Sequence, residues 1–194
     1  MIKRIAGIIF VLVLAAAIVY GYFYLKKQSQ PVSPAIEAIP VSSALFFETH
    51  DFPEFLNTVL NENKIWPALS GFPALENTHQ VAMIIDSLIH ADPKIHNILT
   101  EKQIFISLHL VGKENYDFLY LCSMKNRIEA GQAIDILLDF CKNTSKITKR
   151  TYNGCTVYDV QMSKENAFAN DFSFAVVEGI FVFSRYSLLV EESI

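Results

Sequence analysis

The sequence predicts an α+β domain, a mostly antiparallel sheet with helices packed on one face, preceded by one transmembrane helix. Three observations carry this expectation. β-rich runs come in pairs joined by short polar turns, which makes hairpins the natural connection. Amphipathic helical patterns separate those pairs. The chain begins with an uncharged apolar run between basic residues. Its 194 residues are 52% hydrophobic and 19% charged, too apolar for a disordered chain. The length beyond the apolar run suits about one domain.

Residues 1–4 form a short flank holding Lys3 and Arg4, and residues 5–25 (IAGIIFVLVLAAAIVYGYFYL) carry no charge. About twenty apolar residues at a rise of about 1.5 Å cross a hydrocarbon core of about 30 Å. Tyr20, Tyr22 and Tyr24 sit at the C-terminal end, where an aromatic belt belongs. Ala15, Ala16 and Ala17 offer the small residues of a signal-peptide cleavage site, but the apolar run continues to Leu25. A signal peptide ends sooner, so an uncleaved anchor is expected. Lys26 and Lys27 balance Lys3 and Arg4, so the positive-inside comparison nearly ties. A single N-terminal anchor ahead of a long domain places that domain outside the cytoplasm.

Residues 26–40 form a linker in which Pro31, Pro34 and Pro40 stiffen an extended spacer. Residues 41–194 make the domain. It opens with a short strand at 43–49. Asp51 then caps a helix, with Pro53 in its first turn and Glu54 completing a capping box. Phe55, Leu56, Val59 and Leu60 give that helix its apolar face. A second helix spans 75–91, with Leu75, Val81, Met83, Ile84, Ile85, Leu88 and Ile89 inward. Asp92-Pro93 stops it and starts a third through Ile95, Ile98 and Leu99.

A hairpin follows, with strands at 103–111 and 116–124. Ile104, Ile106, Leu108 and Leu110 share one face; Phe105, Ser107 and His109 share the other. Both faces are apolar enough to predict cover over most of the sheet. Residues 126–141 read as a helix. Strands at 146–152 and 155–161 flank Asn153-Gly154, the strongest short hairpin signal. Strands at 172–177 and 180–184 flank Glu178-Gly179. Ser187 begins a helical pattern that is only two turns long at Ile194. It reads equally as a short docked helix or as the start of a longer protein. The strand-to-helix passages at 45–51 and 181–187 echo each other, as any such junction would.

Chemistry is sparsely signalled. No phosphate-binding loop, dinucleotide glycine pattern, nucleophile elbow or HExxH motif is present, and there are seven glycines in all. Of the 16 basic residues four flank the apolar run, leaving 12 against 20 acidic residues in the remainder. That balance gives no footprint for nucleic acid. Lys146, Lys149 and Arg150 form the one basic cluster of the domain, read as a solvated strand or turn. Glu48, His50 and Asp51 are the best polar constellation, at a strand end, with Asp51 already used as a cap. Asp86 and His90 are one helical turn apart, followed by Asp92 and His96, and read as a solvated face. His109 is expected to be packed rather than to act as a ligand. Ser107, Ser123 and Ser184 lack a base-and-elbow context. Among aromatics in connections, Trp66, Phe72, Phe168 and Phe172 read chiefly as core or loop anchors. Of the three cysteines, Cys122 reads as a buried thiol, while Cys141 and Cys155 could pair in an oxidising compartment. Asn143-Thr144-Ser145 fits a glycosylation acceptor in a eukaryotic secretory setting. No residue is assigned as catalytic, cofactor-binding or metal-binding.

Ile39-Pro40 with Ala44-Leu45-Phe46-Phe47, the Asp51-Phe52 helix start, the segment Lys64-Ile65-Trp66-Pro67-Ala68-Leu69 and Asp86-Ser87-Leu88 form a familiar pattern. Together with the anchor and spacer it resembles uncharacterised membrane-anchored bacterial envelope proteins, often much longer, with an extracytoplasmic domain of unknown function. The resemblance spans residues 40–194. It implies an inner-membrane, periplasm-facing location and a longer parent chain, and it supplies no catalytic residues. The expected function is a non-enzymatic interaction or scaffold module, with membrane and envelope proteins as partners and no nucleic acid. The alternatives are a sensor for a lipid or peptide and a metal-dependent envelope hydrolase.

Overall fold

A computed structural model describes residues 2–28, 34–69, 78–79, 82–83, 85–86, 89–90, 93–100, 102–113, 115–142, 145–162 and 171–194. In chain order the elements are α1 (Ile2–Gln28), a 3-10 turn (Ala35–Ala38), β1 (Ser43–Thr49), α2 (Phe52–Asn57) with a π-helical turn (Thr58–Glu62), and α3 (Trp66–Leu69). Then come α4 (Pro93–Leu99), β2 (Ile104–Leu110), β3 (Tyr116–Ser123), α5 (Arg127–Cys141), β4 (Ser145–Tyr152), β5 (Cys155–Met162), β6 (Phe172–Val177), β7 (Ile180–Ser184) and α6 (Ser187–Glu192).

α1 is 27 residues long and contains the whole uncharged run. Its side chains are described from 13 to 26. Among the described residues no helix is long and apolar enough to cross a membrane. The anchor therefore rests on the sequence.

The α+β class is as expected. Seven strands form one sheet in the order β1-β2-β3-β7-β6-β5-β4, every neighbouring pair antiparallel. Local turn chemistry sets much of this register. Asn153 at φ 44° and Gly154 at φ 79° join β4 to β5, and Glu178 at φ 50° and Gly179 at φ 89° join β6 to β7. Positive φ at both central residues matches the twist of the flanking strands. The chain walks from β4 back to β7, which then pairs with β3 and closes the sheet.

The Asp51 cap is as the sequence predicts, and Asn126 proves to be a second cap rather than the first helical residue. Asp51 Oδ1 accepts from the Glu54 amide at 3.0 Å and starts α2. Asn126 Oδ1 accepts from the Ile128 and Glu129 amides at 3.0 and 2.9 Å and starts α5. Each satisfies donors that a first helical turn leaves free.

Strand alternation divides the core between the two faces. On one, Ile104, Ile106 and Cys122 pack with Phe52, Leu56, Ile89 and Ala130 under α2, α4 and α5. Further along it, Val160, Phe172 and Phe174 pack against Cys141 at the end of α5. On the other, Phe105, Leu119, Leu121, Val182, Ala175 and Val157 pack with Ala35 of the 3-10 turn and with Leu189 and Val190 of α6. The expectation of helices on one face is corrected here. The longer helices share a face, but the opposite face also holds a buried core and α6 packs on it.

Two details of the helix expectations also change. Of 75–91, residues 78–79, 82–83, 85–86 and 89–90 are described, and all eight are helical. Ile89 is buried and Ile85 packs beside it, whereas Met83 is exposed. Ile85 and Ile89 lie one turn apart on one stripe, and Met83 falls off that stripe. Leu75, Val81, Ile84 and Leu88 lie outside the described residues. At the C-terminal end, α6 is a docked helix, with Val190 fully buried.

Candidate functional site

Two polar clusters lie beneath α6, and the sheet's two edges flank them. The first cluster is built on β2. Ser107 and His109 point to the same face and are 0% and 1% exposed. Ser107 Oγ lies 2.8 Å from His109 Nε2, and Ser42 Oγ lies 3.2 Å from His109 Nδ1. Ser42 Oγ donates its proton to Glu192 Oε2 at 2.9 Å. A hydroxyl has one proton, so Ser42 accepts from Nδ1–H. Nε2 then accepts from Ser107, and neutral His109 has both ring nitrogens satisfied. Burial holds the His109 pKa below its ordinary value, and the Glu192 charge offsets this only in part.

That chain of Ser107, His109, Ser42 and Glu192 has the order of a nucleophile, a base and an acid. Its setting is different. The Ser107 hydroxyl is sealed within the core, and its other neighbour is the Leu119 carbonyl at 3.5 Å. No substrate atom reaches it in this arrangement. What the chain does is tie the segment before β1 and the end of α6 to the middle of the sheet.

The second cluster is built on β4 and β5. Arg150 Nε donates to Asp159 Oδ2 at 2.6 Å, and its other nitrogens reach Glu191 and Ser187 of α6. Ser173 Oγ donates to Asp159 Oδ1 at 2.6 Å. Burial works to raise the Asp159 pKa, but the hydrogen bonds from Arg150 and Ser173 and the Arg150 charge outweigh it and hold the carboxyl below its ordinary range. The same Asp159 hydrogen bond, against some desolvation, raises the Arg150 pKa. Charge-assisted bonds of this kind are the strong ones. α6 is thus clamped at Glu191 by the β4 side and at Glu192 by the β2 side.

The edges differ sharply. β1 pairs only with β2 among the described residues, leaving its outer side open. Leu45 and Phe46 are 50% and 51% exposed, and Phe47 is 37% exposed. No charged residue lies between Ser43 and Phe47. β4, the opposite edge, exposes Lys146 and Lys149. The basic cluster read as a solvated strand or turn is an edge strand, but Arg150 is not solvated in the sense expected. It faces inward and holds α6.

The other candidate residues fall as follows. Asp51 is the helix cap, while exposed Glu48 pairs with His50 at 3.1 Å and accepts from Gln103 at 2.8 Å. Asp86 and His90 do meet, at 3.5 Å, on an exposed face. His96 bonds to Thr100 within its own turn at 3.1 Å. Asp92 lies outside the described residues, and among those described no group of three or more His, Cys, Asp or Glu is placed to hold a metal ion. Ser123 Oγ accepts from the Ala35 amide at 3.0 Å, pinning the 3-10 turn to the sheet. Ser184 Oγ bridges the Phe118 carbonyl and the Tyr186 amide. Trp66 Nε1 donates to His79 Nδ1 at 2.9 Å, which makes it a loop anchor. Phe172 is a buried residue of β6; Phe72, Phe168 and the acceptor residues Asn143 and Thr144 lie outside the described residues. No disulfide joins Cys141 to Cys155. Cys141 is sealed under β5 and β6, and Cys155 sits at the β4–β5 turn. Burial pushes the Cys122 thiol up to about 12, beyond ordinary nucleophilic use.

Sequence reasoning missed Ser42, Arg150 and Glu192 as structural partners. Ser42 and Glu192 are 150 residues apart in the chain, and no local pattern connects them. The lack of charge at 43–47 beside a basic run at 146–150 was visible, but only strand order makes both of them edges.

No family model matches this chain, and no curated protein or solved structure matches it either.

Proposed function

We propose that the chain is a single-pass membrane-anchored envelope protein whose α+β domain is a non-enzymatic interaction module. The open outer edge of β1 carries this reading. Unpaired backbone groups beside exposed Leu45, Phe46 and Phe47 form a template for adding a strand. The two polar clusters support it from the other side, because their groups are consumed in holding α6.

The anchor is proposed from residues 5–25, with residues 26–40 as the spacer. About twenty uncharged apolar residues between basic flanks support it. The resemblance to bacterial envelope proteins and the usual topology of an N-terminal anchor favour an inner-membrane location with the domain in the periplasm.

Two observations test this together. A C-terminal tag should resist protease in intact cells and be lost in spheroplasts; protection until the inner membrane is lysed would refute the location. A photo-crosslinking amino acid replacing Phe46 should yield protein adducts in living cells, and one replacing Lys149 should not. Equal yields at both positions would refute the interaction edge.

A further inference from the structure

We infer that the occupant of the β1 edge is β1 of a second copy of this chain, paired antiparallel about a two-fold axis at Phe46. This names the partner for the interaction reading above and rests on it. The two seven-stranded sheets would then join into one continuous sheet.

The residues of β1 select that register. With the axis at Phe46, that side chain meets the partner's Phe46, Leu45 meets the partner's Phe47, and Glu48 meets the partner's Ala44. Apolar groups face apolar groups and no like charges oppose each other. Moving the axis to Phe47 sets Phe46 against Glu48. Moving it to Leu45 sets Phe47 against Ser43. A slip therefore loses the apolar match in either direction. Phe46 is already seated for this role: its ring lies 6.1 Å from that of Phe105 on the same face, and it remains half exposed. Phe47 is likewise 6.1 Å from Phe55 of α2.

Lysines on the opposite edge would limit such an assembly to two copies. After β1 pairs with β1, the free edges are the two β4 strands, each exposing Lys146 and Lys149. Pairing β4 with β4 would bring lysines together, and pairing β4 with β1 would lay a lysine-bearing strand along Leu45, Phe46 and Phe47. An isologous contact closes, whereas a head-to-tail contact would propagate. Anchoring both copies in one membrane raises the concentration at which their domains meet.

The test uses the full chain in native membranes, with Cys155→Ser to remove the half-exposed thiol; Cys122 and Cys141 are buried. Opposed α-carbons in an antiparallel pair lie about 4.5–5.5 Å apart, within disulfide reach. Phe46→Cys under mild oxidation should give a band at twice the chain mass, about tenfold stronger than Lys149→Cys gives. Phe46→Lys, tested with an amine-independent crosslinker, should lose the dimer by about tenfold while leaving the chain folded. Equal dimer from Phe46→Cys and Lys149→Cys would overturn the proposal. Photo-adducts at Phe46 of some other mass, without the disulfide dimer, would overturn the second copy and leave the interaction edge standing. No adduct of either kind would overturn both.

Discussion

β1 and β4 run along opposite edges of one sheet, yet β1 offers Leu45, Phe46 and Phe47 to solvent while β4 offers Lys146 and Lys149. An unpaired strand is a hazard that proteins commonly blunt with charge, lysine above all. β4 carries two exposed lysines, whereas the charge on β1 is confined to Glu48 near its end. β4 also turns Arg150 inward, where it is bound to Asp159 and Glu191. The difference separates two uses of a strand. One edge holds α6 through Arg150, and the other is the proposed contact.

Removing the guard should have the largest effect. Lys146→Val with Lys149→Val gives the sheet a second edge without exposed lysines. The chain should pass from dimers to larger assemblies, seen as a broad, heavy distribution in sedimentation of detergent-solubilised protein. An unchanged distribution would mean that the lysines do not protect β4.

Arg150→Ala should cost about 2 kcal/mol, because it leaves Asp159 and Glu191 without their cation in a partly buried site. Urea unfolding in mild detergent, followed by Trp66 fluorescence, would show the lowered midpoint. Association through β1 should survive wherever the protein is folded, which separates the clamp from the contact edge. Asn153→Ala should cost about 1 kcal/mol, since Asn153 sits at φ 44° and only glycine and asparagine adopt that region cheaply. The same titration checks it, and an unaltered midpoint would show that the β4–β5 register is set elsewhere.

The smallest effect concerns His109. Its pKa is lowered in the folded chain by burial, so the unfolded state takes up the proton first as pH falls. The stability tied to the neutral ring is fully present above the ordinary histidine value of about 6.5. It is lost as pH drops below that value toward the depressed folded one. Unfolding midpoints should fall on going from pH 8 to pH 5.5, and His109→Gln should fall less. Asp159 and Glu129, whose folded pKa values are also lowered, act in a more acidic window below the ordinary carboxylate values. Parallel curves for wild type and His109→Gln would remove His109 from the account.

Much of this fold is legible in short-range patterns. Asn153-Gly154 and Glu178-Gly179 specify two-residue turns, and their strands form within a residue or two of the expected bounds. Asp51 announces a helix start because its side-chain oxygen meets an amide three residues ahead. The alternation of Ile104, Ile106 and Phe105, Ser107 foretold two covered faces. What covers the second face was not legible. α6 gains its stability from Arg150, Ser42 and His109, groups distant in sequence, so its own two turns could not reveal whether it docks. Met83 misled for a related reason: an apolar residue fits any stripe until its neighbours fix the phase. The candidate site depended on strand order. A strand whose residues 43–47 carry no charge shows itself as an edge only when the sheet order is known.

Hydrogen exchange at the two edges tests the central claim most directly. The full chain would be reconstituted in vesicles at high and at low surface density. The outward amides of β1 should be protected at high density and exchange quickly at low density, while those of β4 stay fast at both. Equal, density-independent exchange along β1 and β4 would contradict the claim that β1 is the contact edge and β4 the guarded one.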